Sequence, residues 1–246
     1  MSVPASTSLR FLLLQVRNAD DPMRDHERLA FARALAIQPD DCDTVDLLST
    51  RPSSTQLDTS DVVLLGGSGD YSATGEGEWL DRSLDVLREL VQRNQPTFAS
   101  CWGFQAMARA MGGTVVNNPD TAEVGTHQLF VTQAGRNDPV FGSLGQSFPA
   151  QMGHEDCVSV LPRGTTLLAF SERNTHQAFR VDDAPIYCTQ FHPELTRTDL
   201  HQRVKAYPQY IERITGQTPG ELIATLEETP GAEALLQRFV ATFFAG

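Results

Sequence analysis

Pro96-Thr97-Phe98-Ala99-Ser100-Cys101-Trp102-Gly103-Phe104-Gln105 is the stretch on which the fold turns. Thr97–Ser100 reads as a short apolar strand after Pro96. Phe104, Met107, Ala108 and Met111 mark one face of a helix that Gly112-Gly113 closes. Cys101 falls on the sharp turn between them. A strand-turn-helix of this kind sets a side chain at the carboxyl edge of a parallel sheet, where open α/β folds bind ligands. Strand and helix approach closely at such a turn, so its flanks must be small, and Ala99 and Gly103 are. The helix N-terminus directs unpaired N–H groups at the sulfur, which favours thiolate. Taken alone, the stretch is equally open to a buried, inert thiol, the common fate of free cysteine.

The chain before this stretch alternates strand and helix. Phe11–Val16 and Thr44–Leu48 read as strands, with a helix through Leu29, Ala32 and Leu35 between them. Asp61–Leu65 is a third strand, running into Gly66-Gly67. Leu80, Leu84, Leu87 and Val91 then share one helix face. This order predicts an α/β fold with an open, mostly parallel central sheet flanked by helices. Farther on, Leu129–Thr132, Cys157–Leu161, Leu167–Ser171, Gln177–Val181 and Ile186–Gln190 read as short strands, an additional antiparallel region beside the main sheet. From Thr198 the pattern is helical again. Thr218-Pro219-Gly220-Glu221 fits a capping box with Pro at the first helical position. Leu235, Leu236, Phe239, Val240 and Phe243 form the stripe of a last helix. With no repeat or long linker, the expectation is a single domain over 1–246. Its core covers about 10–196, and the helical extension 197–246 caps one sheet edge.

Composition narrows the function. Of 246 residues, 40% are hydrophobic and 13 are Phe, enough for a core, which excludes a disordered chain. A formal charge of -12 disfavours nucleic acid and anionic membranes as partners. Phe11-Leu12-Leu13-Leu14 is far too short an apolar run to span a bilayer and makes a poor signal peptide. The four cysteines, Cys42, Cys101, Cys157 and Cys188, match no zinc spacing and are too sparse for a disulfide scaffold. Reduced thiols in a cytoplasmic protein follow as the expectation.

Two further stretches bear on Cys101. Ile186–Gln190 delivers His192 just past a strand end, with Glu194 two residues on. A cysteine nucleophile needs a base, and the base needs a group that holds its tautomer; Cys–His–carboxylate supplies all three. Without Cys101, a packing role for His192 would be the better reading. Leu64-Leu65-Gly66-Gly67-Ser68-Gly69 is a glycine-rich turn after a strand. Such a turn lets a backbone N–H face an oxyanion without an obstructing Cβ. It is no phosphate loop, because no Gly-Lys-Ser/Thr follows.

Gly66-Gly67, Ala99-Ser100-Cys101-Trp102-Gly103-Phe104-Gln105 and His192-Pro193-Glu194 together resemble the class I glutamine amidotransferases. Glu123-Val124-Gly125 and Gly153-His154-Glu155-Asp156 are similar to further family positions, so the resemblance runs over roughly 10–196. It implies a flavodoxin-like fold, a Cys101–His192–Glu194 triad, and an oxyanion hole from the backbone N–H groups of Gly67 and Trp102. It also implies substrate contacts from Gly66 and Gln105, and from Thr126 and His127 next to Glu123. His154 and Asp156 either hold the substrate's α-amino group or support their loop. No metal or organic cofactor is implied. The substrate would be glutamine or a γ-glutamyl small molecule, with an ammonia-accepting synthase subunit as possible partner. A γ-glutamyl peptidase shares the thioester step, and a non-catalytic binding or regulatory subunit is the reading from another class. Two positions depart from the family pattern. Ala99 replaces a Gly, and Ser68 replaces the Pro after Gly-Gly, which implies a freer oxyanion loop. His26, His176 and His201 are expected at the surface, and Cys42, Cys157 and Cys188 in packing roles.

Overall fold

The structure, a computed structural model, describes residues 9–244. Its strands are β1 (Phe11–Val16), β2 (Cys42–Asp46), β3 (Val62–Ser68), β4 (Thr97–Ser100), β5 (Thr114–Asn117), β6 (Glu123–Val131), β7 (Ser147–His154), β8 (Asp156–Val160), β9 (Thr165–Phe170), β10 (Ala178–Val181) and β11 (Ile186–Thr189). The helices are α1 (Met23–Leu35), α2 (Ser54–Thr59), α3 (Glu78–Gln92), α4 (Trp102–Ala110), α5 (Gln133–Arg136), α6 (Arg197–Ala206), α7 (Pro208–Thr215), α8 (Pro219–Ala224), α9 (Pro230–Glu233) and α10 (Leu235–Phe244).

The main sheet runs β2-β1-β3-β4-β11-β10-β9-β6-β7. Neighbours from β2 to β11 are parallel, and those from β11 to β7 antiparallel. The antiparallel region therefore continues the main sheet instead of lying beside it. Only β5 and β8 form a separate ribbon among the described residues. Strand order reverses on either side of β1, and the carboxyl ends at such a reversal leave a crevice. Arg17, Gly67, Cys101 and His192 stand at the ends of β1, β3, β4 and β11.

Alternation along the buried strands makes two cores. Leu12, Leu14, Val63, Leu65 and Ala99 pack under α3 and α4. Phe11, Leu13, Val62, Leu64 and Phe98 pack under α1 and α10. In α10, Phe239 is fully buried, edge-on to Phe98 at 5.6 Å and Tyr187 at 5.7 Å. Burying a Phe of this kind contributes about 2–3 kcal/mol.

Several elements differ from expectation. In α1, Ala32 and Leu35 are buried as expected, but Leu29 is 48% exposed, and the rest of the buried face is Met23, Glu27, Ala30 and Phe31. A buried acid, Glu27, sits in the middle of that stripe and hides it from a hydrophobicity reading. β7 was not anticipated because Pro149 interrupts it; it is the last strand of the sheet, and proline is tolerated on an edge. β6 begins six residues earlier than Leu129, its first half being polar. The C-terminal extension is not a cap on a sheet edge. α10 covers a sheet face, while α6, α7 and α8 pack through Leu200, Val204, Ile211 and Leu222 on Val124 of β6.

Candidate active site

Cys101 takes φ 53° and ψ -106°, a backbone region costly for a residue with a Cβ. Its N–H is tied to the Thr189 carbonyl at 2.8 Å, and the helix that follows is almost entirely buried. Gly103 makes the turn possible. A Cβ there would stand 2.7 Å from Leu65 Cβ and 3.2 Å from Ala99 Cβ. The methyl of Ala99 is thus accommodated only because residue 103 has none. The Cys101 sulfur lies 3.9 Å from the Gly153 carbonyl oxygen.

β11 delivers His192, whose N–H reaches the Gln151 carbonyl at 2.9 Å. Its Nδ1 lies 2.6 Å from Oε1 of Glu194, a carboxylate fully out of solvent. Burial by itself would lower the imidazole pKa. The negative charges of Glu194 and Cys101 overcome that and raise it to about 9. Burial likewise works to raise the Glu194 pKa, but the imidazolium and Arg203 hold it below the usual carboxylate range. With Nδ1 committed to Glu194, Nε2 is the ring nitrogen left for another partner. A Cβ on Gly67 would lie 3.1 Å from His192 Cε1 and 3.7 Å from Cys101 Cβ, and one on Gly153 would lie 3.9 Å from His192 Nε2. The four residues converge on one point.

The freedom expected of Ser68 is taken up by other contacts. β3 runs through it, pairing it with Val16, and its hydroxyl donates to the Tyr71 carbonyl. The Tyr71 hydroxyl in turn donates to Asn18 at 2.6 Å. Gly67 lines the cavity, whereas Gly66 does not. A Cβ on Gly66 would collide with the Glu27 carboxylate, so this glycine serves packing rather than substrate contact.

The cavity, of 390 Å³, lies within the range of small-molecule sites, roughly 300–1,000 Å³. Gln105, Asn117, His154 and Asp156 form one wall. Gln105 Nε2 donates to the Asp156 carbonyl at 2.8 Å and Gln190 at 3.1 Å. The Asp156 carboxylate accepts from Ser72 and from Asn117 at 2.8 Å. His154 spends both ring nitrogens inside the protein, on the Asp156 carbonyl and on buried Glu123. Both residues therefore support the wall. Thr126 and His127 are not brought to the cavity. Thr126 binds Gln151 and the Glu227 N–H, and His127 binds the Val124 carbonyl. They sit on β6 beyond Val124, its only residue that reaches the cavity. Trp102 lines the cavity and packs on Trp79 at 6.1 Å. His26, His176 and His201 are half-buried rather than on the surface, His26 against Asp199 and His176 on the Val158 carbonyl. Cys42, Cys157 and Cys188 are buried free thiols; burial pushes the Cys42 thiol up to about 12.

The Glutamine amidotransferase class-I family model matches residues 34–206. The chain belongs to this family. Over 171 residues it is 32% identical to a glutamine-hydrolyzing GMP synthase of Streptomyces avermitilis, a match covering 70% of this chain and 31% of that one. Over 158 residues it is 29% identical to gamma-glutamyl peptidase 3 of Arabidopsis thaliana, 62% of each chain. The chain thus spans less than a third of the GMP synthases it matches. A glutamine amidotransferase crystal structure from Thermotoga maritima superposes with a TM-score of 0.76 at 21% identity, covering 95% of this chain and 97% of that one, and so shares the fold.

The chain closes its cavity with residues that sequence reasoning passed over. Leu200, Arg203 and Val204 of α6, Tyr207 at the joint, Tyr210 and Ile211 of α7, and Arg17 make the second wall. Arg17 is 2% exposed, lying against Glu27, Asp21 and the Tyr207 hydroxyl. Arg203 is 8% exposed; burial and the Arg17 cation lower its pKa, against the pull of Glu194 and Glu27. Arg17 had a signal, a cation at the carboxyl end of the first parallel strand. Arg203 had none, because an arginine on a short helix normally faces water.

Proposed function

We propose that this chain hydrolyses the side-chain amide of glutamine, or the γ-amide of a γ-glutamyl compound, through a thioester on Cys101. One observation carries the reading. Cys101, on its positive-φ turn, shares a cavity with His192, and His192 is held at 2.6 Å by buried Glu194, with Gly67 against both. The Cys101 thiolate attacks the γ-carbonyl carbon. The oxyanion meets the backbone N–H groups of Gly67 and Trp102, each such donor being worth roughly 3–4 kcal/mol. His192 Nε2–H gives its proton to the departing amine, ammonia in the case of glutamine. Water then attacks the thioester, His192 takes its proton, and glutamate leaves. Glu194 holds the Nδ1–H tautomer and offsets the imidazolium charge.

With glutamine, the ammonia requires an acceptor. The GMP synthase relatives extend well beyond the matched region, so a synthase that takes up the ammonia fits the glutaminase reading. The four free thiols fit a reducing, cytoplasmic setting.

The test measures glutamate and ammonia released from glutamine and from a γ-glutamyl dipeptide, alongside labelling by a glutamine-like chloroketone. The wild-type protein is expected to turn over at least one substrate and to be labelled at Cys101. Cys101→Ala should do neither. Turnover by purified Cys101→Ala, or an unlabelled wild type, refutes the mechanism and favours a non-catalytic subunit.

A further inference from the structure

Arg203 is the least satisfied cation at the cavity. Its Nε and Nη2 are buried and meet no hydrogen-bond partner. Its Nη1 lies 3.5 Å from His192 Nδ1, a nitrogen whose own hydrogen is committed to Glu194. The Glu194 carboxylate stands 3.9 Å from Nη2, beyond hydrogen-bond reach. A guanidinium carries five donors and stays protonated, so leaving it buried without acceptors is costly. Arg17 contrasts with it, being matched to Glu27, Asp21 and Tyr207. Arg203 faces a cavity, and the acceptor it lacks is one a ligand can bring.

The position of Arg203 says which part of the ligand. Two separate hydrogen-bond networks line the cavity, Gln105 with Asp156 in one and Arg17 with Tyr207 in the other, and Arg203 lines it beside His192. The inference rests on the hydrolytic reading above, in which His192 protonates the departing amine. Arg203 approaches the Nδ1 edge of that proton donor's ring at 3.5 Å and lines the cavity, so an acceptor that meets it there stands beside the ring that protonates the amine. The geometry points to Arg203 as the specificity residue for a carboxylate on the leaving amine: the substrate is a γ-glutamyl amino acid, and Arg203 binds the carboxylate of its second residue. The chemistry balances with water alone. The sulfur–acyl bond forms as the γ-carbon–nitrogen bond breaks, the His192 proton goes to the amino acid's nitrogen, and water converts the thioester to glutamate.

Three substrates test this on the full chain: γ-glutamylglycine, γ-glutamylglycinamide and glutamine. The first two differ in the carboxylate alone. The wild type is expected to favour γ-glutamylglycine over the glycinamide by roughly tenfold or more in kcat/KM, as a charge-assisted hydrogen bond implies. Arg203→Met should bring that ratio to within about twofold of one, and Arg203→Lys should keep part of it, as a point charge without the planar fork. A wild-type ratio near one, with glutamine turned over, overturns the proposal and leaves the hydrolytic reading standing. An equal fall on all three substrates in Arg203→Met also overturns it, because Arg203 would then only support His192 and Glu194 or hold the glutamyl end. No turnover of any substrate, with Cys101 resistant to the chloroketone, removes the hydrolytic reading and this proposal with it.

Discussion

Glu194→Gln preserves shape and deletes a charge, which isolates what the carboxylate does for His192. The imidazole pKa is held at about 9 against an ordinary 6.5, although burial pulls the other way. At about 1.4 kcal/mol per pH unit, its neighbours favour the imidazolium by roughly 3 kcal/mol net of burial. Without the carboxylate, burial remains and only Cys101 opposes it. The alkaline limb of kcat/KM, near pH 9 in the wild type, should then move down by at least about one pH unit. Turnover near neutral pH should fall on the order of a hundredfold, and His192→Ala, which removes the proton donor, should fall further. Stability should follow the same pair. His192 has its folded pKa raised, so its contribution is complete below about 6.5 and disappears as pH rises through about 9. Glu194 has its folded pKa depressed, so its contribution is present above about 4.5 and lost as pH falls through the folded value. The gap in urea midpoint between wild type and Glu194→Gln should therefore be wider at pH 6 than at pH 9.5, on either side of the His192 transition. Assays of glutamate release and urea titrations across this range check both. An alkaline limb unmoved by the substitution, with a stability gap independent of pH, refutes the role given to Glu194.

Gly103→Ala should destabilise the protein by about 1–3 kcal/mol in urea unfolding, because its methyl would meet Leu65 Cβ at 2.7 Å; an unchanged midpoint would mean that strand and helix are not so close. Ser68→Pro should slow the enzyme rather than speed it, since Ser68 is paired within β3 and its hydroxyl anchors Tyr71; faster steady-state turnover would show that the loop is limited by its freedom after all.

The inner parallel strands were legible because they are buried on both faces, Phe11–Leu14 and Val62–Leu65 reading as unbroken apolar runs, whereas β2, an edge strand with Asp43 and Thr44 exposed, was expected two residues too late. β4 and β11 were found within a residue of their ends for the same reason. The antiparallel half was legible only where apolar residues dominate. β7 carries Pro149 on a sheet edge, and the first half of β6 carries polar residues that face the extension, so neither shows a strand pattern. In α1 the misleading residue was Glu27, an acid whose burial depends on Arg17 from another element. Thr126 and His127 were expected near the substrate from their nearness in sequence to Glu123. A strand places them beyond Val124 instead, with Thr126 against the start of the last helices.

Chemistry and specificity left different traces in this chain for a physical reason. Attack on an amide needs a backbone that turns sharply and N–H groups that face the reacting oxygen. Those demands fall on glycines and small residues at fixed spacing, which is why Gly67, Cys101 and Gly103 stand out in a bare sequence. Recognition of the departing group needs only a side chain of the right charge at the right place, and any element that passes over the sheet edge can provide it. Here α6 does so, and its arginine differs from a surface arginine only in being buried beside His192. The net charge of -12 is no guide either, because the cavity wall formed by Arg17, Arg203 and Tyr207 presents cations to the reacting centre whatever the sum over the chain. The fold can thus keep one hydrolytic core and change its leaving group by changing the helices that roof it.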